Sequence, residues 1–255
     1  MNLLKTIAVS FSMFSAIPMP QFNWDKENMR YALIAFPLIG AVVGAACTLW
    51  VWLCHTAGLP DLVRGAFLCL LPVLITGGIH LDGYADTCDA LASHQSPEKK
   101  QEILSDPHIG SFAVIRLCGY FVLMLALWTC LPEYKTLPIL LLFCLSRTQS
   151  GLAVAAFPLS KKTGLARSFA DAADRKRVKV VLTILDILLS VLLFICGPEG
   201  ILMAAVSHLV FLYYYHMCMH QFGGLSGDLA GWFLVQDEKW MLIALAAAEW
   251  GRALL

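Results

Sequence analysis

The sequence predicts an all-α membrane protein: a polytopic bundle of about seven transmembrane helices, preceded by an N-terminal interfacial or re-entrant helix. Of its 255 residues, 59% are hydrophobic and only 14% are charged, and the mean hydropathy of +0.72 is far above that of soluble domains. Apolar stretches of about twenty residues, each long enough to cross a bilayer, recur along the chain. Because no repeat, linker or low-complexity segment divides them, we expect residues 1–255 to form a single integral membrane domain.

The first twenty residues hold one lysine, an apolar run over residues 7–17, and the prolines Pro18 and Pro20. A signal peptide can begin in this way, but no clear small-residue cleavage site follows. We therefore favour a helix that lies in the membrane interface or dips into it. A polar patch, residues 23–30, separates this helix from the first long span.

The seven predicted spans cover residues 32–56, 62–80, 110–131, 137–157, 178–196, 201–220 and 240–255. The segments between them alternate in charge. One set contains Lys99, Lys100, the basic segment 161–179 and Lys239, whereas the other set contains little beyond three residues, Arg64, Lys135 and Arg252. The positive-inside rule therefore assigns the N terminus and the basic segments to the cytoplasm.

Three aspartates stand out where the second predicted span ends. At about 100° per residue, Asp82, Asp86 and Asp89 fall within roughly 60° of one helix face. Like charges at this spacing repel each other, so a bound cation is the simplest explanation, and oxygen ligands favour magnesium or another hard divalent ion over zinc. His80 lies about 160° from Asp82, so we do not expect it to bind the same metal. The alternative is a solvated helix end that carries scattered acids.

Two other polar segments belong to the same side of the membrane as this acidic stripe. They are the loop 105–110, Ser-Asp-Pro-His-Ile-Gly, and the glycine-rich segment 223–228, Gly-Gly-Leu-Ser-Gly-Asp. Glycines allow the backbone to approach a ligand closely, and Asp228 can bind a metal or a hydroxyl group. A glycine-rich loop is usually just a turn, and its location beside three aspartates is what makes it a candidate site.

Ser146 and Arg147 lie inside the fourth predicted span. An arginine within a membrane normally faces a protein cavity or a partner charge. The guanidinium fork of Arg147 fits a phosphate, the interpretation that we favour, or it forms a buried ion pair with a carboxylate such as Asp186.

Other polar groups have simpler explanations. The basic segment 161–179 would attract a polyanionic substrate or anionic lipids, unless it only fixes the topology. His216 and His220 are one turn apart and could bind a metal, although an interfacial pair without chemistry is the simpler interpretation. The nine cysteines are scattered, which indicates small buried hydrophobic residues and neither disulfides nor a zinc site. Together the sequence predicts a metal-dependent reaction on a phosphorylated substrate at the cytoplasmic face.

The central motif resembles that of a known family. Thr76-Gly-Gly-Ile-His-Leu-Asp-Gly-Tyr-Ala-Asp-Thr-Cys-Asp89 is similar to the signature of the cobalamin synthases, the adenosylcobinamide-GDP ribazoletransferases. Other segments resemble the family in the same order along most of the chain, at residues 36–40, 105–110, 146–147 and 223–228.

The resemblance implies a magnesium-dependent enzyme of the inner (cytoplasmic) membrane, with its active site facing the cytoplasm. Such an enzyme transfers the adenosylcobinamide phosphate of adenosylcobinamide-GDP to α-ribazole or its 5′-phosphate, and releases GMP. By resemblance and by analogy with membrane CDP-alcohol phosphotransferases, Asp82 and Asp86 are catalytic metal ligands and Asp89 is a ligand or the base, with Asp228 as a further ligand. The implied substrate contacts are His80, Gly83, Asp106, Ser146, Arg147, Gly227 and Asp228.

The expected partners are therefore these substrates and the lipid bilayer, without nucleic acid. Self-association and a complex with other enzymes of the corrinoid pathway stay open.

Two other functions compete with this one. A CDP-alcohol phosphatidyltransferase-like lipid enzyme has the motif Asp-x-x-Asp-Gly-x-x-Ala-Arg, which is not matched because Asp86 follows Asp82-Gly-Tyr-Ala directly. A cation-coupled transporter would carry its polar groups at mid-bilayer between repeated halves. Here the candidate residues cluster at one boundary and no repeat is evident.

Overall fold

The computed structural model describes residues 3–131, 136–160 and 164–253 as helices joined by short connections. In this part of the chain there is no β-sheet, and the one extended pairing is an isolated bridge between Leu159 and Leu225. The predicted all-α fold class is therefore confirmed. The helices are α1 Leu3–Phe14, α2 Lys26–Met29, α3 Ala32–Ala57, α4 Asp61–Thr76, α5 Ile79–Ala92, α6 Pro97–Ile103, α7 Ser111–Cys130, α8 Thr136–Ala156, α9 Leu165–Ala172, α10 Arg175–Ile195, α11 Pro198–Phe222 and α12 Gly227–Ala253.

Five helices are long and apolar enough to cross a bilayer: α3, α7, α8, α10 and α11. The chain is therefore a multi-pass membrane protein. The pair α4 and α5 meets the same criterion as one bent unit, which raises the number to six. By length and composition alone, the described residues thus contain five or six candidate spans, against the seven predicted.

The predicted start of the last span, residues 240–255, is wrong. Helix α12 starts at Gly227 and runs through Asp237, Glu238 and Lys239 without a break. Lys239, which the charge pattern assigned to a cytoplasmic segment, therefore lies inside a helix. The charged residues of α12 explain why this helix fails the apolar criterion. Residues 254 and 255 lie outside the described part of the chain.

The second predicted span ends at a sharp bend. Gly77 and Gly78 join α4 to α5 with φ angles of 67° and 79°, in the left-handed region that glycine adopts without steric cost. The axes of the two helices differ by 97°. The span predicted over residues 62–80 is therefore wrong after Thr76, and the aspartates lie on a separate helix that turns away from the span.

Helix α8 is the centre of the bundle. In the most apolar stretch of α8, 83% of the residues are buried, against 22% in the corresponding stretches of α7 and α10. Helix α8 packs against α3, α10 and α12. The contact with α3 is close: a Cβ on Gly40 would lie 2.2 Å from the carbonyl oxygen of Phe143, and one on Gly44 would lie 2.7 Å from Cα of Leu140. Small residues four positions apart allow helices to pack this closely in a membrane.

Helix α1 has 12 residues and is too short to cross a bilayer. It packs against α3, and Val9 is buried in the core. Just beyond α1, the backbone N–H of Ala16 donates a hydrogen bond of 2.8 Å to the carbonyl of Ile75. The N-terminal helix is thus present and is tied to the bend between α4 and α5, while its position in the membrane interface stays a prediction.

Six of the nine cysteines are buried and fill the core as small apolar side chains, as predicted. The prediction is wrong for Cys118 and Cys130, which are exposed, and Cys196 is partly buried.

Candidate functional site

A cavity of about 390 Å³ lies at the end of the bundle where α5, α9 and α12 begin. This volume is within the range of small-molecule sites. Helices α3 and α8 supply apolar walls that include Leu33, Phe36 and Val154. The first turns of α5, α9 and α12 supply most of the polar groups. We refer to it below as the helix-end cavity.

Five of the residues predicted from the sequence line the helix-end cavity. They are His80, Asp82, Gly83, Gly227 and Asp228. The structure therefore brings the central motif and the glycine-rich segment together, although about 145 residues of chain separate them. The other predicted residues, Asp86, Asp89, Asp106, Ser146 and Arg147, are not in the lining that the structure describes.

Three helix N-termini converge on this cavity. Ile79 of α5, Ala166 of α9 and Gly227 of α12 all belong to first turns, and all line it. The first N–H groups of a helix have no partner within the helix, and the helix dipole gives this end a partial positive charge. Such ends bind phosphate groups well. The cavity therefore combines carboxylates with backbone N–H groups and helix dipoles that favour anions.

The aspartates of the acidic stripe share a helix but do not meet at one point. Asp82 is exposed and lines the cavity, whereas Asp86 and Asp89 are half-buried further along α5. Seven helical residues place Asp89 about 10 Å beyond Asp82 along α5, and both carboxylate oxygens of Asp89 accept hydrogen bonds from the start of α7. In residues 3–131, 136–160 and 164–253, no three His, Cys, Asp or Glu side chains are grouped closely enough to hold a metal ion.

The magnesium site thus stays a prediction. The donor set nevertheless fits a hard ion, because the two carboxylates in the cavity, Asp82 and Asp228, supply oxygen ligands only. Asp86 lies one helical turn beyond Asp82 on the same face of α5.

Asp89 has a structural role that the sequence does not reveal. Its Oδ2 accepts a hydrogen bond of 2.7 Å from the N–H of Gly110, and its Oδ1 accepts one of 2.9 Å from the N–H of Ala113. Both donors belong to the N-terminus of α7, where N–H groups lack intrahelical partners. A Cβ on Gly110 would lie 2.6 Å from the carboxylate oxygens. Asp89 therefore anchors loop 105–110 to α5, and its predicted role as ligand or base stays a prediction.

The glycine-rich segment is a tight turn that delivers α12 to the cavity. Gly223 and Gly224 have φ angles of 67° and 145°, and a Cβ on Gly224 would lie 2.7 Å from the backbone nitrogen of Ser160. Ser226 then caps α12 by accepting a hydrogen bond of 3.3 Å from the N–H of Leu229. Only glycine fits this close approach of two backbones.

Gly83 and Gly231 allow α5 and α12 to cross at close range. A Cβ on Gly83 would lie 2.6 Å from the carbonyl oxygen of Asp228, and one on Gly231 would lie 2.9 Å from that of His80. These two glycines hold the two cavity carboxylates on adjacent helices. Gly83, predicted as a substrate contact, thus has a packing role as well as a place in the lining.

His80 presents a polar atom without a partner. Its ring packs against Phe36 at 5.9 Å between centroids, and its Nε2 is buried with no hydrogen-bond partner among the described residues. A buried polar atom is costly unless it is hydrogen-bonded. Because His80 lines the cavity, a bound molecule could supply the missing hydrogen bond, which agrees with its predicted role in substrate binding.

Arg147 is paired with a different residue from the one that the sequence suggested. It is 1% exposed, and its Nη1 donates to Glu238 of α12, while Ser146 Oγ donates a hydrogen bond of 3.1 Å to the same carboxylate. The proposed pair with Asp186 is wrong. Asp186 instead accepts a hydrogen bond of 3.1 Å from Gln149 and pairs with His208 at 3.1 Å.

The hydrogen bond between Gln149 and Asp186 is part of a larger buried polar network. Ser207 donates to Gln149 at 3.1 Å and approaches Asp237 at 3.2 Å, and Asp237 is fully buried. The sequence analysis missed Asp237 and Glu238 because it interpreted this polar run as a connection between helices. Its statement that the polar groups cluster at one boundary therefore holds for the cavity alone.

Asp106 lies in the loop before α7, outside the helix-end cavity. Its Oδ1 accepts a hydrogen bond of 3.0 Å from the backbone N–H of His108 and lies 2.7 Å from Nδ1 of the same residue. The backbone N–H, followed by the ring, lowers the pKa of Asp106. Its contact with a substrate stays a prediction.

Comparison of the sequence with known proteins shows which family the chain belongs to. The sequence pattern of the cobalamin-5-phosphate synthase family matches residues 6–246. A protein of Lachnoclostridium phytofermentans named adenosylcobinamide-GDP ribazoletransferase is 39% identical over 98% of this chain and 96% of its own length. Proteins of the same name from Clostridium botulinum and Geobacillus are 33% and 30% identical, over 93% and 91% of this chain and 95% and 92% of their own lengths. No solved structure matches.

The match extends over nearly the whole chain and includes both segments that form the helix-end cavity. The chain is therefore an enzyme, and it belongs to the cobalamin-5-phosphate synthase family.

Proposed function

We propose that this enzyme transfers the adenosylcobinamide phosphate group from adenosylcobinamide-GDP to α-ribazole or α-ribazole 5′-phosphate, with release of GMP. The substrates are those in the names of its relatives and those that the sequence resemblance implies. The observation that carries the proposal is the convergence of Asp82, Asp228 and three helix N-termini on one cavity. A diphosphate-linked substrate needs such a combination of metal-binding carboxylates and anion-binding backbone.

The reaction breaks one phosphorus–oxygen bond and forms another. The ribose 3′-hydroxyl oxygen attacks the phosphorus on the cobinamide side of the diphosphate, and the bond from this phosphorus to the bridging oxygen breaks. GMP leaves with the electron pair, and the hydroxyl proton passes to a base. The protein contributes mainly by positioning the two substrates and by stabilising the developing charge.

We further propose magnesium as the cofactor, with Asp82 and Asp228 as ligands and Asp86 as a third carboxylate within one helical turn. When bound, the ion supplies positive charge to the phosphate oxygens. The N–H groups at the starts of α5 and α12 would orient the same phosphates, and His80 would donate or accept a hydrogen bond through its unpartnered Nε2.

We also propose that the protein lies in the inner membrane with the cavity on the cytoplasmic side. Basic side chains at the cavity end of the bundle support this orientation. Lys100 of α6 binds Gln221 at 2.5 Å, next to the glycine-rich turn, and Arg167 of α9 lines the cavity. Lysines and arginines concentrate in cytoplasmic segments of membrane proteins.

The test is release of GMP by the purified protein in detergent or vesicles. Wild type should release GMP from adenosylcobinamide-GDP only when α-ribazole and magnesium are both present. Asp82→Asn should lower the rate by about 100-fold or more, since the loss of a metal ligand removes several kcal/mol of transition-state stabilisation. Glu27→Gln removes an exposed acid of α2 outside the cavity and should keep the wild-type rate.

Equal rates of GMP release by wild type with and without α-ribazole would contradict the proposal. Equal rates for Asp82→Asn and wild type at limiting magnesium would contradict only the ligand assignment. Both variants should melt at the wild-type temperature, because neither side chain is buried.

A further inference from the structure

We propose that Arg167 of α9 binds the phosphate of the nucleoside monophosphate that leaves in the reaction. This inference rests on the proposed function and names a residue of the same site to which neither the sequence analysis nor the resemblance gives an individual role. It makes Arg167 a binding residue for the leaving group, opposite the carboxylates of α5 and α12.

The first argument is the charge of the cavity. Its described lining contains two carboxylates, Asp82 and Asp228, and Arg167 is the one arginine or lysine among the described lining residues. A leaving phosphate gains negative charge as its bond to the transferred group breaks. A guanidinium can offset that charge with two parallel hydrogen bonds, which a single carboxylate-bound cation does not provide.

The second argument is how α9 is held. Phe169 is 1% exposed and its ring lies 5.2 Å from that of Phe14, and Ala170 is also buried. These residues fix one face of this short helix against the bundle. Arg167 lies at the edge of that face, where it is one of the residues that line the cavity, and its side chain is 41% exposed.

The third argument is that Arg167 is already paired with an exchangeable carboxylate. Its Nε donates a hydrogen bond of 2.7 Å to Oδ2 of Asp171, one turn further along α9. Asp171 is 52% exposed, and exposed pairs of this kind are weak. A phosphate in the cavity can therefore bind the terminal nitrogens of Arg167, or replace Asp171, at little cost.

The experiment measures GMP binding to the full-length protein directly, by calorimetry with magnesium present and no second substrate. Arg167→Ala should weaken GMP binding about tenfold or more, since a hydrogen bond between charged groups is lost. Arg167→Lys should bind GMP with an affinity between those of wild type and Arg167→Ala, because it keeps the charge but loses the planar fork. Asp171→Asn should tighten GMP binding, because the competing carboxylate is gone.

Arg177→Ala is the matched control. Arg177 lies in the same basic part of the chain and is also paired with an aspartate, Asp174 at 3.5 Å, but it is absent from the described lining of the cavity. Its removal should leave GMP binding unchanged. Equal losses in Arg167→Ala and Arg177→Ala would overturn the proposal in favour of a diffuse attraction by the whole basic segment.

A lipid phosphate could instead bind the guanidinium of Arg167. The thermal stability of the variants, reconstituted into vesicles of phosphatidylcholine alone and of phosphatidylcholine with phosphatidylglycerol, distinguishes the two. A loss of stability of Arg167→Ala confined to the phosphatidylglycerol vesicles, with normal GMP binding, would assign Arg167 to the membrane surface and overturn the proposal. So would a loss of GMP binding in Asp171→Asn, since the ion pair itself would then be what holds α9 in place.

The binding assay also separates this inference from the proposed function. Wild-type protein that binds GMP through Arg167 but never releases GMP from adenosylcobinamide-GDP would contradict the proposed reaction. Wild-type protein that turns over normally, with Arg167→Ala binding GMP as well as wild type does, would contradict the inference alone.

Discussion

At the scale of single residues, the buried charge of Arg147 is paired with the carboxylate of Glu238. Loss of one member of a buried ion pair typically costs about 3–5 kcal/mol, because the other charge stays buried without compensation. We therefore expect Arg147→Ala to lower the free energy of unfolding by about that amount. Thermal unfolding in detergent would measure it.

The double variants identify the partner. Arg147→Ala with Glu238→Ala should recover much of the lost stability, whereas Arg147→Ala with Asp186→Ala should recover none. Recovery with Asp186→Ala would contradict the pairing seen in the structure, in which Asp186 binds Gln149 and His208.

The sequence favoured a phosphate as the partner of Arg147, with a carboxylate such as Asp186 as the alternative, and did not identify Glu238. Arg147 and Glu238 are 91 positions apart, and Glu238 belongs to a run of polar residues that is typical of a connection between helices. Its place inside α12 depends on packing against α8. In the same way, the acidic stripe was visible in the sequence, but the hydrogen bonds from Asp89 to the start of α7 depend on tertiary structure.

At the scale of elements, the contact between α3 and α8 depends on a glycine. We expect Gly40→Ala to destabilise the protein by about 1–3 kcal/mol, because the new methyl group would overlap the carbonyl of Phe143 and force the two helices apart. Gly119→Ala in α7 is the control, since a Cβ there meets nothing within 4 Å. Equal melting temperatures for the two variants would contradict the close packing.

Helix boundaries were predicted well where the apolar runs end at polar loops. Span 32–56 differs from α3 by one residue at its C-terminal end, and span 110–131 differs from α7 by one residue at each end. The bend after Thr76 was missed because Gly77 and Gly78 continue an apolar run, and glycines are common inside membrane helices. Their left-handed φ angles, which turn α5 away, are set by contacts that the sequence does not display.

At the scale of the whole molecule, the orientation in the membrane can be tested by labelling. In a variant without the exposed cysteines Cys118 and Cys130, Gln95→Cys should react only with a reagent on the cytoplasmic side. Leu59→Cys, in the connection between α3 and α4, should react only from the other side.

The reverse pattern of labelling would put the helix-end cavity outside the cell and would contradict the proposed orientation. Labelling of both positions from one side would contradict a crossing of the membrane by the bent pair α4 and α5, which lies between them.

The Arg147–Glu238 pair also has a consequence for the order of events during synthesis. A ribosome adds about 5–20 residues per second, so the arginine leaves it roughly 5–18 s before the glutamate that lies 91 residues later. An arginine without a partner is costly at the centre of a bilayer. We therefore expect the nascent α8 to stay at the membrane boundary, or beside an insertase, until α12 emerges. Helix α8, at the centre of the finished bundle, would then be among the last helices to reach its final position.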